Sequence, residues 1–223
     1  LYLFFIILAA VFMGVSLYMA LVWAPTEITL GDSQRIFYLH IPLAWLGMLS
    51  IIVMAVFSVA YLITRDIKWD NLAYSTAELG FVLITLVLIT GIIWSKAEWT
   101  VWWTWDPKLT TTVILWFIYL SYIMLRKYGS SDLQGASYGA VLGIIGAIDV
   151  PLIYMSANWW SAAHPQLNIG PLSNQSSNVN SEMFNTLLIS LIAYTMLYVI
   201  LLNEKYLLKK GTSLLDETYS KIF

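Results

Sequence analysis

Six stretches of the chain run apolar for about the length a bilayer demands, at approximately 1–24, 41–63, 73–94, 109–126, 136–157 and 183–203. A helix needs about 20 apolar residues to cross the roughly 30 Å hydrocarbon core. Backbone groups find no water partner in lipid, so these runs are expected as helices rather than strands. The pattern predicts an all-α integral membrane protein, a bundle of six transmembrane helices. Neither an internal repeat nor a second domain interrupts it, so residues 1–223 are expected to form a single domain. The first run is longer than a signal-peptide core and lacks a small-residue cleavage site, so it is expected to stay as a helix.

Composition agrees. Of 223 residues, 60% are apolar and 11% charged, whereas a soluble domain keeps about 25% charged residues to face water. A net charge of −2 points to no nucleic-acid partner. The absence of cysteine removes disulfides, thiolate metal sites and a cysteine nucleophile together.

Lys and Arg set the orientation. Arg65, Lys68, Arg126, Lys127, Lys205, Lys209, Lys210 and Lys221 fall in the second and fourth loops and the tail, against Arg35, Lys96 and Lys108 in the other three loops. The richer side is expected to be cytoplasmic, with both termini on it. The tail from Asn203, mildly basic and apolar, is expected to lie along the inner leaflet.

The outward side then holds the most unusual stretch, Trp99-Thr-Val-Trp-Trp-Thr-Trp-Asp106, between the third and fourth helices. If helical, it would put Trp99, Trp102 and Trp103 on one face, a flat platform for a large, flat, mostly apolar guest. Trp23, Trp45, Trp69 and Trp116 are scattered singly and fit an interfacial belt. Asp106-Pro107 has the form of a helix start, with Asp as N-cap and Pro in the first position.

His40 and His164, the only two histidines, fall on the same side as the tryptophans. Trp160 and His164 are four apart, and Pro165 ends any helical turn there. Two imidazoles can supply both axial ligands of a haem iron, but are too few for structural zinc. Asp106 would complete a facial triad for non-haem iron, a reading that leaves the tryptophans unexplained. Arg35 and Lys108 stand as outward cations, suited either to haem propionates or to snorkelling at the interface. Glu78 and Asp149 lie inside helices, where an ionisable group is costly, and a structural role suits them equally.

These residues resemble a known family. Trp99 to Asp106 is similar to the tryptophan-rich WWD signature, W-G-x-W-W-x-W-D, of haem-handling membrane proteins, a group that includes CcmC, CcmF and CcsA. From about Arg35 to Pro165, with the segments around both histidines, the resemblance is to haem exporter protein C (CcmC) of cytochrome c biogenesis. It implies that His40 and His164 are axial ligands of haem b, held without a covalent bond. Trp99, Trp102, Trp103, Trp105 and Asp106 would cover the haem edge, with Arg35 and Lys108 at the propionates. The family's role implies a multi-pass protein of the cell inner membrane that presents haem on the outer face and passes it to the haem chaperone CcmE. Its partners would be the ABC transporter subunits CcmA and CcmB and the small subunit CcmD. The chain would carry haem rather than act as an enzyme. The alternatives are a synthase joining haem to apocytochrome, as some WWD proteins do, and a haem permease. Two departures stand out: Thr100 replaces the signature glycine, and Lys108 stands where relatives often carry arginine.

Overall fold

The computed structural model describes residues 1–128, 132–159 and 180–222. Seven α-helices follow one another: α1 Tyr2–Tyr18, α2 Phe37–Thr64, α3 Ile67–Trp99, α4 Pro107–Tyr128, α5 Asp132–Gly146, α6 Asp149–Trp159 and α7 Ser181–Ile222. Among the described residues six spans are long and apolar enough to cross a membrane, with α5 and α6 together providing the fifth.

Helix boundaries depart from the hydropathy pattern where polar caps or a proline intervene. Asp66 accepts a hydrogen bond from the Lys68 backbone N–H at 2.9 Å, so α3 begins at Ile67 rather than at the first purely apolar turn. Between α5 and α6 the helix breaks at Ala147 and Ile148. Pro151 has no N–H to offer Ala147, whose carbonyl accepts from Val150 instead, at 3.4 Å. The tail does not separate from the sixth span. It continues α7 to Ile222 and is tied to α3, through Lys205 to Glu78 at 3.2 Å and Ser213 to Asn71 at 3.2 Å.

The chain divides into two compact units, one of Leu1–Ala44, Leu86–Val113 and Pro151–Leu197, the other of Trp45–Thr85, Ile114–Val150 and Tyr198–Phe223. In the first, Ala20, Ala24, Phe37, Tyr38 and Leu187 form a core on which Ile41, Trp94, Met183 and Leu191 pack. A hydrogen bond of 2.9 Å between Ser16 and Ser190 joins α1 to α7.

In the second unit the Tyr119 hydroxyl donates to the Gly47 carbonyl at 2.8 Å, and α3 carries Gly80 where any Cβ would overlap the Tyr119 ring. Trp116, assigned to the interfacial belt from the sequence, also has partners within the protein. Its indole N–H donates to Thr85 at 2.9 Å and its ring lies on Phe81, with centroids 5.3 Å apart. Glu78 is the partner of Lys205, a structural use. A buried ion pair joins Arg126 to Asp70 at 2.5 Å. The faces turned away from these contacts carry exposed Val56, Ile63, Val82 and Phe117, the apolar surface that lipid requires.

Candidate functional site

The first unit contains the start of α2, the end of α3, the tryptophan segment and the start of α4. His40 stands in the first turn of α2 and is buried. Its Nδ1 lies 2.8 Å from the Thr90 hydroxyl oxygen of α3, and no hydrogen bond to its Nε2 is found among the described residues. Trp94, one turn beyond Thr90, meets the imidazole edge to face, with centroids 5.6 Å apart and planes at 80°. Gly91 completes this wall, where a Cβ would come within 3.3 Å of His40 Cε1. The imidazole is thus held through one nitrogen and one aromatic contact.

The tryptophan segment is not helical. α3 ends at Trp99, and Thr100 takes a left-handed backbone with φ of +62°, which starts a non-helical run through Asp106. Two hydrogen bonds pin the turn back onto the helix, Lys96 Nζ to the Thr100 carbonyl at 2.7 Å and Ser95 to the Val101 carbonyl at 2.8 Å. Glycine adopts this conformation freely, which gives a physical reason for the signature glycine. A β-branched side chain there carries about 1–2 kcal/mol of strain. Thr100→Gly releases that strain and returns part of it through a freer unfolded chain. We therefore expect a net gain of about 0.5–1 kcal/mol, read as a raised melting temperature in detergent.

With the helix broken, the expected single face of Trp99, Trp102 and Trp103 does not form. Trp103 and Trp105 meet edge to face, with planes at 80° and centroids 5.5 Å apart. Trp102 and Trp105 are 59% and 75% exposed, and Lys96 sits over the Trp102 ring at 5.7 Å. Trp99 is half-buried at the end of α3. In the same unit, Trp94 Nε1, Trp103 Nε1 and one oxygen of Glu98 are buried, with no hydrogen-bond partner among the described residues.

Asp106 caps α4, accepting from the Leu109 backbone N–H at 2.9 Å, with Pro107 in the first helical position. Arg35 is committed largely to the π-helical turn Met19–Trp23 that continues α1. It donates to the Ala20 carbonyl at 2.7 Å and pairs with Asp32 at 3.0 Å, holding the end of that helix. Lys108 is half-buried. His164, Trp160 and Pro165 lie outside the described residues. Among those described, no three His, Asp or Glu side chains gather as a metal site. Asp149 opens α6 with one carboxylate oxygen buried and without a hydrogen-bond partner.

Sequence reasoning missed Thr90 and Gly91. Both sit in an apolar run with nothing in its periodicity to mark them, and only their shared helix face with Trp94 could have done so.

Six spans among the described residues, long and apolar enough to cross a membrane, with a buried imidazole against Trp94 and a separate Trp103–Trp105 contact, define a multi-pass α-helical membrane protein. Over residues 1–213 the sequence matches the model of the family described as CcmC, heme exporter protein C, and the chain belongs to that family. It is 33% identical over 203 residues to heme exporter protein C of Haemophilus influenzae, covering 91% of this chain and 81% of that protein. Against heme exporter protein C of Escherichia coli K12 it is 35% identical over 192 residues, covering 82% and 77%. A Marchantia polymorpha protein named as a putative cytochrome c biosynthesis ccmC-like mitochondrial protein is 32% identical over 156 residues. This chain spans 66% of that protein's length, just under two thirds.

Proposed function

We propose that this chain is a single six-helix domain that holds haem b non-covalently at the outer face of the cell inner membrane and delivers it to the haem chaperone CcmE for cytochrome c maturation. It works beside the ABC transporter subunits CcmA and CcmB and the small subunit CcmD, with both of its own termini cytoplasmic. It carries haem and does not transform it. Support comes from family membership, from the names its relatives carry, and above all from the setting of His40.

The residues present fit the cargo. His40 is tethered through Nδ1, and among the described residues its Nε2 is left over, the arrangement an imidazole ligand needs. Exposed Trp102 and Trp105 offer apolar area, and the partnerless N–H of Trp103 is a donor for a propionate. His164 is the proposed second ligand. Lys108 is a propionate partner, while Arg35, already holding α1, has less of its fork to give. Haem supplies an iron that accepts two nitrogens; the chain supplies those nitrogens, an apolar cover and a cation. Delivery needs a reversible hold, so one imidazole must yield to a ligand from the chaperone.

The test is transfer. Haem-loaded protein mixed with purified CcmE is expected to lose its spectrum as the chaperone gains haem, and retention of all haem would refute delivery. Trp105→Ala gives a second expected result. Losing about 100 Å² of apolar cover at roughly 25 cal/mol per Å² weakens haem binding by about 2.5 kcal/mol. The ligation spectrum of the bound fraction stays as in the parent, which a haem titration followed by absorbance reads directly.

A further inference from the structure

The geometry points to Thr90 as the positioning residue that fixes the proton of His40 on Nδ1 and so leaves the Nε2 lone pair free for iron. The inference rests on the proposed ligation of haem by His40 and specifies how α3 prepares that ligand.

The protons at this contact can be counted. Thr90 has one hydroxyl hydrogen. Its oxygen lies 2.8 Å from the Leu86 carbonyl and 3.2 Å from the Val87 carbonyl, both of which can only accept. It also lies 2.8 Å from His40 Nδ1. The hydroxyl donates to the helix carbonyls, the ordinary behaviour of a threonine inside a helix, and so accepts from Nδ1–H. The other tautomer would need the hydroxyl to turn from both carbonyls toward Nδ1. Only the Nδ1–H form satisfies every contact at once.

Position is fixed along with the proton. Trp94 stands against one edge of the ring, and Gly91 leaves space beside Cε1, the carbon between the two nitrogens. Thr90, Gly91 and Trp94 fall within one turn of α3, so a single helix face sets the tautomer, the orientation and the clearance of the ring. An imidazole that donates its second N–H is also the more basic ligand, and losing such a partner typically costs about 10–100-fold in metal affinity.

Two histidines make the test clean. In haem-free protein labelled with ¹⁵N at its histidine rings, assigned by His164→Ala, His40 is expected as the Nδ1–H tautomer. Thr90→Val keeps the shape, removes the acceptor, and is expected to move the ring toward Nε2–H. The same variant is expected to bind ferric haem about tenfold more weakly. If ferrous binding is unaffected, its midpoint potential rises by the equivalent 59 mV. Thr90→Ser restores the acceptor and is expected to recover all three readouts. An Nε2–H ring in the parent protein, or a Thr90→Val variant with unchanged tautomer and potential, overturns the inference while leaving haem ligation by His40 intact. Should His40→Ala itself leave the haem spectrum unchanged, the ligation reading fails instead, whatever the tautomer.

Discussion

Replacing His40 with alanine abolishes the six-coordinate, low-spin spectrum expected of bound haem and lowers haem affinity by more than the roughly 10–100-fold that loss of a second-shell partner costs. The side chain lost is the proposed iron ligand, and among the described residues His40 is the one histidine at the site. The fold is expected to survive. His40 contributes one hydrogen bond to α3, worth about 1 kcal/mol net, and a small buried volume. Melting of the haem-free variant near the parent temperature would therefore separate ligand loss from unfolding.

A large loss in stability is expected instead from Asp70→Ala. Asp70 and the Arg126 side chain are 2% and 8% exposed and pair directly, and the guanidinium also lies over the Tyr74 ring at 5.9 Å. Removing the carboxylate takes away the acidic member of a buried ion pair between α3 and α4, and breaking such a pair from one side costs about 3–5 kcal/mol. Thermal unfolding in detergent reads this as a large fall in melting temperature. Replacing both partners with apolar residues of similar size, Asp70→Leu with Arg126→Met, is expected to recover most of it, because a buried pair is often no better than packed hydrocarbon. Failure of the double variant to recover would mean that the pair serves more than its own neutralisation.

Much of this architecture can be read in the sequence, for reasons that differ from place to place. The six spans follow from apolar run length because lipid permits little else. Asp106 and Pro107 announce the start of α4, since capping chemistry is local and both residues are specialised for it. Local signals also misled. If helical, the segment would put Trp99, Trp102 and Trp103 on one face, yet the backbone turns at Thr100, a β-branched residue that gives no sign of a left-handed conformation. Only the glycine of the signature hints at it. The extension of α7 past Leu202 depends on contacts made with Glu78 and Asn71 of another helix, which no local pattern encodes. Thr90 is hardest of all, because its importance lies in the nitrogen that faces it from fifty residues away.

The most direct measurement of the central claim is a titration of ferric haem into the purified, full-length protein in detergent, followed by absorption and electron paramagnetic resonance. Saturation at one haem per chain with a low-spin, bis-imidazole signature is the result the account predicts. Haem that never saturates, or that binds as a high-spin species without nitrogen ligation, would contradict it.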